Sequence, residues 1–167
     1  MLFPILWENN YQPTFRGFTN PWRNFVLNDE AGTLICAYPD GARKPTIPVP
    51  YCEETMHGFE YEFAGLLMAE GAVEKGAAVA KAVRDRYDGK KRNPFNEIEC
   101  GNNYARSMAS FAMLAILSGF RFDLPHARIG FDPVRREGTF ICIWSVDGAW
   151  GNVRIDDGST RDRKSVV

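Results

Sequence analysis

The stretch around which this chain is organised reads RNPFNEIECGNNYAR and covers residues 92–106. It holds two carboxylates two residues apart, Glu97 and Glu99, and it ends on Arg106. The sequence on both sides has the apolar spacing of helices, whereas this stretch is polar. Loops held by rigid elements are where binding residues concentrate. The stretch is therefore the first candidate for a functional site.

Two helices are predicted immediately before this loop. The first follows an N-cap at Thr55 and ends at Gly71, with Phe59 among its buried apolar positions. The second covers residues 73–87 and is closed by the Asp-Gly pair that follows. Because only a short turn separates them, they are expected to form an antiparallel helical hairpin.

The chain upstream of the hairpin is predicted to be less regular. Asn20 and Pro21 are typical of a helix start, and Gly32 is typical of its end. Residues 39–50 are rich in proline, which forbids regular structure, and we interpret them as an ordered loop. Residues 1–19 are expected to be an irregular lead-in.

After the loop, residues 104–118 predict a third helix that is apolar nearly all round. Such a helix belongs inside a large helical core, so a fragment or an obligate partner is indicated. The spacing of the apolar residues then changes from helical to alternating, and short strands are predicted at 128–131, 139–144 and 149–155. Asp147-Gly148 predicts a hairpin turn between the last two. Residues 156–167 are polar and are expected to be a flexible tail.

Composition excludes several classes of function. The chain has 167 residues and a net charge of −1, which disfavours a nucleic-acid partner because phosphate binding needs a cationic excess. No run approaches the roughly 20 apolar residues of a membrane span. The widely spaced cysteines and the uncharged, short apolar start predict reduced thiols and a cytoplasmic location. No metal or other cofactor is predicted, because the two histidines, His57 and His126, lack ligand spacing.

The residues of the loop suit a polyhydroxylated ligand. Carboxylates and a guanidinium can hold vicinal hydroxyls while an aromatic plane from Phe95, Tyr104 or Trp22 covers the sugar ring. The alternative is structural, with Glu97 capping the third helix and Arg106 paired with Glu99. A glycosidase needs two carboxylates at a set separation, about 5–5.5 Å for retention and about 6.5–9.5 Å for inversion. Nothing in the spacing of these acids assigns such roles.

Several segments resemble glycoside hydrolase family 116, which contains bacterial β-glucosidases and non-lysosomal glucosylceramidases. The matching segments cover most of residues 20–155 and are NPWRNFVLNDEAG at 20–32, PVPYCEE at 48–54, GFEYEFA at 58–64, VRDRYDG at 83–89, RNPFNEIECG at 92–101 and YARSMAS at 104–110. Departures occur at residues 55–57, where the family often has Val-Trp-Thr, and at Asn103, where a histidine is common.

The resemblance implies a mainly α fold, the C-terminal part of an (α/α)6 barrel with a small terminal antiparallel sheet. It implies a β-glucoside as substrate and, as partner, the missing N-terminal part of a retaining catalytic domain that holds the nucleophile and the acid/base. Residues 20–155 would then be the C-terminal segment of that domain, inactive alone. The resemblance also implies sugar-holding residues for the −1 subsite: Glu97 with Arg106, Glu99 as an alternative acid, and Glu53 or Glu54 at the rim.

Overall fold

The computed structural model describes residues 3–99, 101–102, 104–135, 137–156 and 159–166, the last range as backbone. The chain divides into two compact units, Met1–Ser110 and Phe111–Val167. Within the described residues, no helix is both long and apolar enough to cross a membrane.

The first unit is built on a helical hairpin. Helix α1 is Phe3–Asn10, and the hairpin helices are α2, His57–Ala69, and α3, Val73–Arg86. Gly71, at a φ of 82°, makes the turn that only glycine adopts easily, so the predicted antiparallel hairpin is confirmed. The inner faces of α2 and α3 meet through buried Tyr61, Ala64, Leu67, Met68, Val79 and Val83.

Two short strands link the start of the chain to this hairpin. Strand β1, Tyr11–Gln12, pairs antiparallel with β2, Gly32–Thr33. Phe15, Val26 and Leu34 form a small buried cluster beside them. Leu34 also bridges to Thr55, so the proline-rich segment leaves this region and returns to it just before α2.

The second unit is mostly β. A short α4, Ala112–Ser118, continues the 3₁₀-helix Arg106–Phe111. Strands β3, Arg121–Asp123, and β4, Arg128–Gly130, form one hairpin. Strands β5, Thr139–Val146, β6, Ala149–Asp156, and β7, Ser159–Val166, form an antiparallel sheet in that order.

The predicted β5–β6 hairpin is confirmed. Val146 pairs with Ala149, which leaves Asp147 and Gly148 as the two loop residues. Gly148 has a φ of 75°, the left-handed conformation that such a tight turn demands. The segment expected to be a flexible tail carries β7, and residues 157–158 lie outside the described part.

The expected fold class is wrong. About 31% of the chain is helical and 20% is strand, and the described residues form four α-helices with three small antiparallel sheets. This is a small mixed domain structure and not a fragment of a mainly α barrel. The reason is that only α2 and α3 pair as long helices, while the remaining apolar segments are short or have a strand period.

Two helix predictions also fail. Residues 21–31 form no helix. The Asn20 side chain does accept from the Trp22 N–H, as an N-cap would, but its amide also donates to the Glu53 carbonyl. The predicted buried helix at 104–118 is divided between the 3₁₀-helix and α4. Its apolar side chains are largely exposed, among them Met108, Phe111 and Leu114.

Candidate functional site

Glu99 and Arg106 form the centre of the site. Glu99 is fully buried, and its Oε1 accepts a hydrogen bond from Arg106 Nη1 at 2.7 Å. Its Oε2 accepts from the Gly58 N–H at 3.0 Å, at the first turn of α2. Both carboxylate oxygens thus have donors, which suits a carboxylate that holds an arginine and not one that attacks a substrate.

The Arg106 side chain reaches from this buried acid toward solvent. Its guanidinium carbon lies 5.1 Å from the centre of the Phe59 ring and 4.9 Å from the centre of the Tyr104 ring. The Arg106 Nη2 also donates to the Tyr104 hydroxyl at 3.1 Å. The side chains of Arg106, Phe59 and Tyr104 are each about two-fifths exposed. A planar cation and two aromatic faces are therefore presented together at the surface.

Gly58 permits this arrangement. A Cβ at this position would lie 2.7 Å from Arg106 Cβ and 3.1 Å from Glu99 Oε2. Such distances are too short for any larger residue, so the start of α2 packs directly on the stem of Arg106. The close approach links the helix start to a loop that follows 41 positions later.

His57 is buried next to Glu99. Its Nδ1 is 3.5 Å from Glu99 Oε2, and neither ring nitrogen has a hydrogen bond of good geometry. Burial lowers the pKa of His57 below its ordinary value, although the nearby carboxylates of Glu99, Glu97 and Glu60 oppose that shift. Burial thus disfavours the charged imidazolium form of His57.

Glu97 has different partners from those expected. Its Oε1 accepts from the Tyr61 hydroxyl at 2.8 Å and from Arg84, and it is almost wholly buried. Burial, and then this hydrogen bond, raise the pKa of Tyr61. Glu97 thus joins the loop to α2 and α3, and the arginine expected to act with it, Arg106, binds Glu99 instead.

Glu53 and Glu54 each bind a different cation. Glu53 pairs with Lys44 at 2.5 Å, and the buried Glu54 pairs with Arg23 at 3.2 Å. Glu53 has a φ of 61°, which is unusual for a residue with a side chain. A small cavity of about 120 Å³ brings Glu53 and Lys44 together with Trp22. This second grouping brings an acid, a cation and an aromatic side chain to one small cavity.

The other aromatic side chains that were predicted to cover a sugar ring, Phe95 and Trp22, have different surroundings from Tyr104. Phe95 is almost fully exposed, and the Trp22 indole N–H donates to the Val49 carbonyl at 3.1 Å. Of the three predicted planes, Tyr104 is the one seen to contact Arg106 through its ring face. Asn103, the expected departure from the family, and Cys100 lie outside the described residues.

Sequence reasoning missed Phe59 as a site residue because its helical spacing placed it in the core. One sequence signal could have pointed to Phe59. An isolated glycine inside a helical pattern often marks a close packing contact, and Gly58, the residue before Phe59, packs against Arg106. Reasoning from spacing also missed the buried pair of Glu60 and Arg86, which lie 26 positions apart on α2 and α3. No local pattern reports such a contact.

The described residues contain no group of three or more His, Cys, Asp or Glu side chains that could hold a metal ion. Comparison with known proteins adds no assignment, since no protein-family model and no curated protein matches the chain.

Proposed function

We propose that this chain binds the sugar of a β-glucoside at Arg106, with Phe59 and Tyr104 as the aromatic faces and Glu99 as the anchor of the guanidinium. The observation that carries the proposal is the position of Arg106 between two half-exposed rings, with a buried carboxylate behind it. A guanidinium donates in a fixed plane to adjacent hydroxyls, and a ring accepts the C–H face of a sugar.

The resemblance to glycoside hydrolase family 116 extends this proposal. In that reading, the chain contributes the sugar-holding part of the −1 subsite of a retaining enzyme, whose nucleophile and acid/base lie in chain not present here. Contacts remote from the reacting carbon matter to such an enzyme, because their binding energy is used in the transition state. The expected cytoplasmic location stays a prediction.

The test is a titration of the chain with methyl β-glucoside, followed by two-dimensional NMR of backbone and side-chain amides. Shifts should concentrate at Phe59, Tyr104 and Arg106, with a dissociation constant on the order of 1 mM for so small a ligand. Arg106→Lys should weaken binding about tenfold, because lysine loses both the planar donors and the stacking. Unchanged binding in that variant would contradict the proposal.

The matched control is Arg16→Lys. Arg16 also pairs with an acid, Asp29, but its guanidinium lies over no aromatic ring of the described residues. The control should bind methyl β-glucoside as the unaltered chain does. If both variants lose affinity equally, the effect is one of net charge and not of the site.

A second candidate is a non-catalytic structural module, and the burial of Glu99 favours it. The Glu99–Arg106 pair also fastens the loop to Gly58 at the start of α2. In this case Arg106→Lys would lower the free energy of unfolding, and no sugar would shift the amide signals of Phe59 or Tyr104. The titration therefore separates the two functions.

A further inference from the structure

An open cavity of about 410 Å³ lies within the first unit, apart from the ionic contacts of Arg106. Its walls come from α1, from the segment that follows β2 and from α2. Most of the lining is apolar and consists of Leu6, Leu34, Ile35, Phe59, Phe63 and Leu66. This volume is within the range of small-molecule sites, about 300–1,000 Å³.

Hydrogen bonds fix the walls of the cavity to one another. The Leu34 N–H donates to the Asn10 carbonyl at 2.9 Å, and Asn10 Nδ2 donates to the Leu34 carbonyl at 2.9 Å. The Lys75 ammonium lies 5.2 Å from the centre of the Trp7 ring, which links α1 to α3. The cavity is thus part of the folded structure and not a gap beside a loose helix.

The charges around the cavity select its ligand. Glu60 is neutralised by Arg86 and also accepts from the Thr33 N–H. Glu62 lines the cavity and is exposed, and it has no ion pair within the described residues. Among the described residues, no lysine or arginine lines the cavity, which therefore combines apolar walls with one unneutralised carboxylate.

We propose that this cavity binds a small organic amine, with its apolar body against the phenylalanine and leucine side chains and its ammonium group at Glu62. An anionic ligand would meet a carboxylate without a cation to offset it. A sugar would leave its hydroxyls against apolar walls, which costs free energy because each loses hydrogen bonds to water. An amine with an aromatic or aliphatic body matches both the apolar walls and the carboxylate of Glu62.

The experiment compares three ligands of similar shape: phenethylamine, phenethyl alcohol and hydrocinnamate. Binding to the full chain is followed by NMR, with a dissociation constant for the amine on the order of 1 mM. The amine should bind about two- to fivefold more tightly than the alcohol, since the carboxylate is exposed, and the acid should bind most weakly. Equal binding of all three, or binding of none, would overturn the proposal.

Two variants test the position of the ligand. Glu62→Gln should abolish the preference for the amine over the alcohol, and Leu66→Trp, which enlarges a lining side chain, should weaken both. The matched control Glu70→Gln removes an exposed carboxylate at the C-cap of the same helix that does not line the cavity, and it should preserve the preference.

A second copy of the chain is the competing occupant of this apolar cleft. Sedimentation that shows a dimer disrupted by Leu66→Trp, with no amine bound, would overturn the proposal in favour of self-association. Phe59 lines the cavity and also contacts Arg106, whereas the substituted residues Glu62 and Leu66 are not part of the proposed sugar site, so loss of amine binding in these variants leaves that site to be judged separately.

Discussion

Glu60 and Arg86 form an ion pair that is almost completely removed from solvent, with side-chain exposures of 0% and 2%. Glu60 Oε1 also accepts from the Thr33 N–H at 2.8 Å, and Arg86 Nη1 donates to the Ala31 carbonyl at 2.7 Å. The pair therefore joins β2 and its preceding residue to both hairpin helices. Its charges are tolerated because each is matched and hydrogen-bonded.

Removal of one partner of this pair should be costly. Arg86→Met leaves the carboxyl group of Glu60 buried without its cationic partner, so the free energy of unfolding should fall by about 3–5 kcal/mol. Urea denaturation followed by circular dichroism measures the loss. The additional substitution Glu60→Leu should restore only part of it, because the Thr33 N–H then lacks its acceptor.

The control for this prediction is Lys81→Met, on the same helix. Lys81 pairs with Asp85 at the surface, where an ion pair contributes little. Its denaturation midpoint should barely move. A loss in Arg86→Met no larger than that in Lys81→Met would contradict the structural role assigned to the buried pair.

The buried His57 should make the stability of the chain depend on pH. Since the folded structure lowers its pKa, the unfolded chain binds a proton more readily than the folded chain does. Stability is then complete above the ordinary histidine pKa of 6.5 and falls as the pH drops through 6.5 toward the folded value. Thermal unfolding between about pH 7 and about pH 5.5 measures this loss.

His57→Gln should flatten that dependence, because glutamine does not titrate in this range. His126→Gln, at an exposed histidine, is the control, and the loss of stability assigned to His57 should persist in it. A profile for His57→Gln as steep as that of the unaltered chain would show that other groups are responsible.

The helical hairpin depends on a close approach of its two helices. A Cβ on Gly76 of α3 would lie 2.5 Å from the Ala64 carbonyl oxygen of α2 and 2.6 Å from Met68 Cγ. The backbone of one helix thus contacts the side of the other, which is possible only at glycine. The amphipathic pattern predicts the existence of both helices but does not show this contact.

Gly76→Ala tests which of two effects is larger. Helix propensity alone favours alanine by about 1 kcal/mol, whereas forcing a methyl group into this contact should cost about 1–3 kcal/mol with the backbone oxygen in the way. We expect net destabilisation in urea denaturation. Ala77→Gly, at the exposed neighbouring position, measures the effect of helix propensity alone. If Gly76→Ala were more stable than the unaltered chain, the close contact between α2 and α3 at Gly76 would be contradicted.

The whole chain consists of two units with different burial. The first has a buried core around the helical hairpin, whereas the second buries few apolar side chains, among them Trp144 and Val153. Ile141, Ile143 and Trp150 of its sheet are exposed, on residues that alternate with the inward-facing ones. The strand period thus places Ile141, Ile143 and Trp150 on an exposed face of the described strands, opposite the buried Trp144 and Val153.

The chain alone should not hydrolyse aryl β-glucosides. Glu97, Glu99, Glu53 and Glu54 each bind a cationic side chain, and Glu97 and Glu99 are buried. None is therefore available as a nucleophile or as an acid/base in this structure. Release of nitrophenol from nitrophenyl β-glucoside measures turnover, and a rate that Glu99→Gln abolishes would overturn the assignment of these acids to binding.

The sequence by itself determined the local elements. The α2–α3 hairpin and the β5–β6 turn at Asp147-Gly148 follow from apolar period and turn chemistry, which act over a few residues. It also predicted that the loop at 92–106 holds a functional site, with a structural pairing of Arg106 and Glu99 as the alternative to sugar binding. Those inferences needed no knowledge of distant contacts.

Only the tertiary structure decided which side chains meet. It placed Glu99 against Gly58 and Glu97 against Tyr61 and Arg84, contacts between residues that are 13 to 41 positions apart. It also exposed Phe59 beside Arg106, although its spacing predicted burial. The physical reason is that period and propensity fix the backbone locally, whereas pairing and burial depend on which helices and loops pack together.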